Sequence, residues 1–373
     1  MKNNFGTNIS LTIFGESHGP YIGITLDGLP AGFKISLDSI QQDLKKRKAT
    51  NNLSTQRQEP DHFEIISGFF EGYTTGTALT ILIKNIDVRS KDYTEIKYKL
   101  RPGHADMSAY EKYNGYQDYR GGGHFSGRLT ACIVAAGSIC RQILKQQKIY
   151  IATHIEKLYT IADTPFSKDL NVLKKQINYV NKQDFATIDP TKKEQMKEII
   201  LQARQAQDSV GGILETAIIN VPTGIGEPFF DSVESIFSHL LFSIPAVKGV
   251  SFGDGFDLSN HYGSDTNDSF VYHDTLQTKT NHNGGINGGI TNGMPILIHT
   301  CIKPTPSIQK KQQSVNYKTK ENIELQIQGR HDPCILHRAR IVVDSILSFG
   351  LLDLLCSKKA MESFQGESKW TFE

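Results

Sequence analysis

Five cysteines, none in a C-x-x-C pair, leave no pattern for a zinc site, and an odd number spread from Cys132 to Cys356 offers no disulfide framework. Reduced thiols in a cytosol fit that distribution. No stretch approaches the ~18 consecutive apolar residues of a membrane span, and the opening Met1-Lys2-Asn3-Asn4-Phe5-Gly6 has no apolar signal-peptide core, so a cytoplasmic protein is expected. An excess of one charge is also missing, because 41 Lys plus Arg stand against 39 Asp plus Glu. Without a global positive field nucleic acid is not an expected partner, and attraction for an anion must come from local clusters. None of twelve histidines falls in an H-E-x-x-H or i, i+4 ligand pair, so no metal is expected. No fixed-period repeat is visible, which argues against a solenoid.

What is present is a globular composition: 38% hydrophobic residues and 32 glycines, in a chain long enough for one large domain or two ordinary ones. Residues 8–14 and 21–27 are β-branched and apolar around a glycine-rich turn, which predicts two strands with Gly15-Glu16-Ser17-His18-Gly19 at their junction. Ser36 caps a predicted helix carrying Leu37, Ile40 and Leu44, whose basic end (Lys45 to Lys48) reads by itself as a solvated helix terminus. Strands are predicted at 63–69 and 78–84, and a charged, aromatic, loop-rich segment at 87–123 is too long to be a mere connector. From Ser126 a helix shows one apolar face (Leu129, Ile133, Ala136, Ile139, Cys140, Ile143), and another is predicted over 337–356. Residues 159–206 are polar, with one helix predicted around 194–207, and read as a peripheral excursion from a single domain spanning 1–373.

Gly15-Glu16-Ser17-His18-Gly19 fits the G-x-S-x-G pattern of a serine-hydrolase elbow, but only 14 residues precede it and the turn joins strand to strand rather than strand to helix. Gly121-Gly122-Gly123 before the Ser126 helix is either an anion-binding helix start or a structural cap; it is neither a P-loop nor a Rossmann fingerprint. His18, His104 and His331 each sit among glycine, arginine and carboxylate residues, a setting that suits proton transfer beside an anion.

The ordered blocks GESHGPYIGITLDGLPAG, STQRQEPDHFEIISGFFEGYTTGT, RPGHAD, DYRGGGHFSGRLTA, SIPAVKGVSFGDGF, NGGINGGITNGMPI, KPTPS and GRHDPC make the chain resemble the chorismate synthase family. The resemblance implies an α+β fold, a β-α-β sandwich of antiparallel sheets packed with helices, assembled as a homotetramer. It implies elimination of phosphate and the C6 hydrogen from 5-enolpyruvylshikimate 3-phosphate, with reduced FMN required. NADPH is a possible reductant, and an external flavin reductase a possible partner. By the same resemblance His18 would protonate the leaving phosphate and His104 the reduced flavin, both titrating near neutrality. Asp332, with Ser17 and Ser126, would act at the flavin N5 position.

Arg47, Arg101 and Arg128 match substrate positions. His124, Phe125, Ser126, Pro245, Ala246, Gly288, Lys303, Pro304, Thr305, Pro306, Ser307 and Arg330 match flavin positions. Two departures stand out. The family's R-R-R-P-G reads Lys46-Arg47-Lys48-Ala49-Thr50, with no counterpart within 51–53 of an arginine usually found there. After GRHDPC the chain reads His337-Arg338-Ala339-Arg340-Ile341 and Asp344, where the family usually has two prolines and a glutamate. A non-catalytic flavin- or phosphate-binding module is the remaining rival to an enzyme.

Overall fold

A computed structural model describes residues 2–48, 53–54, 59–86, 97–273, 275–327 and 331–366. The first part runs β1 (Asn4–Phe5), β2 (Ser10–Gly15), β3 (Tyr21–Asp27), α1 (Leu37–Arg47), β4 (Phe63–Ser67), β5 (Phe69–Phe70), β6 (Tyr73–Thr74) and β7 (Leu79–Lys84). Antiparallel pairing gives a five-stranded sheet in the order β1-β2-β3-β7-β4. Strand alternation decides which face is covered. Ile22, Ile24, Leu26, Leu79, Ile81 and Ile83 are all buried, while Thr25 and Thr80 share a hydrogen bond of 3.0 Å on the opposite face.

After α2 (Asp106–Tyr113) and α3 (Thr130–Gln146), the chain forms β8 (Tyr150–Leu158), β9 (Ile161–Ala162), α4 (Leu170–Val180), α5 (Pro190–Gln205), β10 (Gly212–Ile219), α6 (Val233–Ser243) and β11 (Val247–Phe252). It continues with α7 (Gly263–Thr266), the hairpins β12 (Phe270–His273) with β13 (Thr275–Thr278) and β14 (Ile286–Asn287) with β15 (Ile290–Thr291), β16 (Ile296–Ile302), the hairpin β17 (Gln312–Asn316) with β18 (Glu321–Leu325), and α8 (Leu336–Glu362). A second antiparallel sheet has the order β11-β16-β10-β8-β9.

Helices α3 and α8 pack on each other between the two sheets, α3 touching β3 and β7 and α8 resting on β8 and β10. The expected sandwich of antiparallel sheets and helices is therefore present. A middle-layer helix must be apolar on more than one side. In α3 this buries Ala131, Cys132, Val134 and Ala135 as well as the stripe legible in sequence. The helices approach closely at Gly137, where a Cβ would lie 2.4 Å from the Ser345 Cβ. Truncating Ile139 or Leu347 to Ala in this layer would cost about 2–5 kcal/mol.

Residues 159–206 carry two helices where sequence reading found one. Leu173, Ile177 and Val180 of α4 close a small apolar cluster with Phe166, Ala186, Ala152, Ala217 and Ile219 on the second sheet. Three carboxylate contacts pin the chain on either side of α4: Glu215 accepts from Phe166 N–H (2.9 Å), and Asp163 accepts from the N–H groups of Ile188 (2.6 Å) and Asp189 (2.9 Å).

Candidate active site

Strand β2 ends on Gly15, whose φ of +96° starts the turn, and Gly19 N–H closes it on the Glu16 carbonyl at 3.0 Å. At its tip Ser17 is fully buried and His18 nearly so. Gly121, Gly122 and Gly123 all have positive φ and press against this turn; Ser17 N–H donates to the Gly123 carbonyl at 3.1 Å. A Cβ on Gly121 would lie 2.1 Å from the His18 ring and 3.0 Å from Ser17 Oγ. The triple glycine therefore lets two loops nest around His18, and α3 itself starts only at Thr130 after a short turn over Gly127–Leu129. Ser126 Oγ caps that turn by accepting from Arg128 N–H, and the His124 ring lies 3.0 Å from the Gly15 carbonyl.

The basic end of α1 is not a solvated terminus at Arg47, which is buried and donates to Asp61 at 2.8 Å. Arg128 bonds the other Asp61 oxygen and donates its Nε–H to Asn85 Oδ1 at 3.0 Å. Burial pushes the Asp61 carboxyl up, yet the Arg47 and Arg128 guanidiniums outweigh it and hold the group below the usual range. Asp61 and Asn85 were not singled out from sequence. The carboxylate within QEPDHFE was the available signal for Asp61.

On the facing side Arg101 grips Asp106 bidentately (2.7 and 2.9 Å), at the start of α2. His104 Nε2 lies 2.8 Å from Ser307 Oγ, and Lys303 donates to the Gly103 carbonyl at 2.8 Å. Burial first, and then the Arg101 charge, push His104 down to about 4. It does not titrate near neutrality in this arrangement, contrary to the sequence-based expectation, because desolvation and neighbouring cations both disfavour the imidazolium. Asp332 pairs with Arg338 at 2.8 Å, and Arg338 also donates to the Arg47 carbonyl at 2.9 Å, joining the two walls.

Most of these groups face one cavity of about 1490 Å³, with Ser17 and Asn85 outside its wall. Its wall includes His18, His104, His331, Asp332, Arg47, Arg101, Arg128, Arg338, His124, Phe125, Ser126, Pro245, Ala246, Lys303, Thr305, Pro306 and Ser307. An apolar side is formed by Leu11, Ile13, Ile133, Leu240, Val342 and Ile346. Three predicted site residues stand off this wall. Ser17 is buried outside it, Pro304 is not part of it although both its neighbours are, and Gly288 sits at the tip of the β14–β15 hairpin. Arg330 lies outside the described residues, as do Ala49 to Asn52.

A family model described as chorismate synthase matches residues 9–356. The chain belongs to the chorismate synthase family. It is 43% identical over 358 residues to the chorismate synthase of Pyrococcus abyssi, covering 96% of this chain and 98% of that one. It is 42% identical to that of Dehalococcoides mccartyi, covering 95% and 96%. A solved structure titled as the crystal structure of chorismate synthase superposes with a TM-score of 0.75 at 25% identity, over 96% of this chain and 98% of that one. Family membership overturns the serine-hydrolase reading, and the geometry agrees: the Ser17 turn joins β2 to β3, with no helix following the nucleophile position. The non-catalytic binding module likewise finds no support.

Proposed function

We propose that this chain is a carbon–oxygen lyase that converts 5-enolpyruvylshikimate 3-phosphate to chorismate by 1,4-anti elimination of phosphate and the C6 hydrogen, with reduced FMN required and no net redox change. The observation that carries the site reading is convergence: His18, His104 and Asp332, from three distant segments, face one cavity together with Arg47, Arg101, Arg128 and Arg338. The chain acts as a homotetramer in the cytoplasm, and its flavin is reduced either by NADPH on the chain itself or by an external reductase.

The cavity suits a flavin beside the substrate. Ligand sites are typically ~300–1,000 Å³, so about 1490 Å³ has room for two ligands, and it offers both an apolar side for a ring system and cations for phosphates. Reduced flavin would supply an electron-rich ring that supports the electron-deficient allylic centre. The protein's own part is positioning and proton handling. His18, fixed between the Glu16–Gly19 turn and Gly121, would give a proton to the departing phosphate, a poor leaving group as a dianion.

Arg47 and Arg128 share Asp61, and Arg128 also lies 3.9 Å from Glu59, so two guanidiniums are met by two carboxylates; what they offer the substrate phosphate is N–H donors fixed at a buried, rigid point rather than an excess of charge. His104 is neutral at pH 7 until anions arrive beside Arg101 and Lys303; their charge would raise its affinity for the proton it holds near the flavin. Asp332, paired with Arg338 at 2.8 Å, would orient the group that takes the C6 proton. Anaerobic assay with chemically reduced FMN tests the proposal through phosphate release and chorismate absorbance, and an arm with FMN and NADPH alone decides the source of electrons. Loss of phosphate release by about a hundred- to ten-thousand-fold is expected for His18→Ala. No chorismate from the wild-type chain with reduced FMN would overturn the assignment.

A further inference from the structure

We infer that Asn85 is the positioning residue for His18, an inference that rests on the reading of His18 as proton donor. Asn85 follows directly on β7 and belongs to none of the motifs in the sequence. Its amide Nδ2 donates to the two carbonyls that bracket the His18 turn, Glu16 at 3.0 Å and Gly19 at 2.8 Å. Its Oδ1 accepts from Arg128 Nε–H at 3.0 Å, and its backbone N–H donates to the Pro20 carbonyl at 3.1 Å.

The partners dictate the amide's orientation, since carbonyls only accept and a guanidinium only donates; a flipped amide would break all three side-chain bonds. At 8% exposure the group has little access to water, so a lost bond would leave buried polar atoms without replacement. One side chain thus clamps both ends of the turn to a guanidinium that is itself anchored on Asp61. From the other side Gly121 leaves the His18 ring just enough space. The imidazole is held between these two constraints. Displacing a reacting group by about 1 Å can cost on the order of a hundredfold in rate, so this clamp bears on turnover more than on substrate affinity.

The test uses the full chain with reduced FMN under anaerobic conditions, and reads kcat and KM for phosphate release. Asn85→Asp is isosteric and keeps the acceptor for Arg128, but sets an oxygen against two carbonyls; Asn85→Ala removes every contact and introduces no charge. Two chemically different variants, each checked by its melting curve, separate misplacement of the turn from a folding defect. Asn85→Asp, which keeps the Arg128 acceptor, is expected to lower kcat about 10- to 100-fold with KM within about threefold; Asn85→Ala is expected to lower kcat by as much and to raise KM as well, because it also frees Arg128. In a His18→Ala background the same substitutions are expected to cost less than about threefold, because the group they misplace is already gone. Equal losses in both backgrounds would show that Asn85 acts elsewhere, and wild-type turnover of the two variants would show that it does not act at all; either overturns the inference. Full phosphate release by His18→Ala removes the proton-donor reading and this inference with it. An inactive His18→Ala beside a fully active Asn85→Asp overturns the inference alone.

Discussion

Val210 donates its backbone N–H to the carbonyl of Pro333 at 2.8 Å, one residue beyond Asp332. The rest of that short segment holds the opposite wall of the cavity: Ser209 Oγ donates to the Thr305 carbonyl at 2.7 Å, the Gln207 carbonyl accepts from Gln309 N–H at 3.1 Å, and Asp208 pairs with Lys310 at 2.8 Å. Residues 207–210 therefore tie the loop carrying Lys303 and Ser307 to the turn carrying His331 and Asp332. Nothing between residues 134 and 238 faces the cavity, yet this strut at the exit of α5 sets the spacing of two of its walls.

Ser209→Ala removes one of those ties and leaves the cavity surface unchanged. A neutral hydrogen bond contributes about 1 kcal/mol, which as affinity is roughly fivefold. Flavin binding is expected to weaken by about that factor, with a small fall in melting temperature and less change in kcat. Flavin fluorescence titration with substrate present gives the answer. Unchanged flavin affinity would mean that the Lys303 to Ser307 loop holds its place without the strut.

His104 leads to a second expectation, concerning protons taken up on binding. Burial and Arg101 hold it at about 4, against an ordinary 6.5, so it enters the complex unprotonated at pH 6–7. Anionic substrate and flavin placed beside it favour the imidazolium, so binding should take up a proton in this range. Calorimetric titrations in two buffers of different ionisation enthalpy measure the uptake directly. His104→Ala should abolish it while lowering turnover more than affinity. Heats independent of buffer would count against a protonated His104 in the complex.

How far the site was legible in sequence follows from what each residue needs nearby. His18, Arg101 and His104 stand in short glycine- and arginine-rich blocks whose backbone demands are local, and they were readable there. Asp61 and Asn85 act as buried partners of Arg47 and Arg128, across gaps of 14 and 43 residues, and no local periodicity marks such a role. For α3, a sequence stripe reports one apolar face, while its place between two sheets buries the other as well. The α4 helix was missed although Leu170, Leu173, Ile177 and Val180 recur at helical spacing behind the Asp169 cap; the polar character of the whole segment masked a signal that was present. Gly288 matches a family position but occupies a hairpin tip away from the cavity, a placement that only tertiary structure supplies.

Two buried histidines should bend the stability–pH curve in opposite directions. His337, 2.7 Å from Ser54 Oγ, is pushed down to about 4 by burial first and then by Arg338. Between about 6.5 and 4 the unfolded chain binds the proton first, so the stability His337 contributes above that range is lost as pH falls through it. For His154, burial opposes the charge, but Asp163 at 3.0 Å and Glu215 at 2.7 Å outweigh it and raise the imidazole. Its contribution is complete below the ordinary histidine value and disappears as pH rises through the raised folded value. Urea melts across pH should show His337→Gln flattening the acid side and His154→Gln the alkaline side. The reverse assignment, or no change in either slope, would contradict these signs.

Arg338 gives the last expectation, because it bonds Asp332 through one nitrogen and the Arg47 carbonyl through another. A planar fork can hold both at once; the point charge of a lysine cannot reproduce that geometry. Arg338→Lys therefore keeps the charge and loses the alignment of the Asp332 carboxylate. A hydrogen bond to a charged group contributes about 1.5–3 kcal/mol, and about 1.4 kcal/mol is a factor of ten in rate, so kcat should fall tenfold or more. If Asp332 governs removal of the C6 proton, that step becomes more rate-limiting, and turnover of C6-deuterated substrate should show a larger isotope effect in Arg338→Lys than in the wild-type chain. Asp332→Ala should move the same quantity further in the same direction. A rise in KM alone, with the isotope effect unchanged, would instead make Arg338 a plain cation for the substrate phosphate, with no part in holding Asp332.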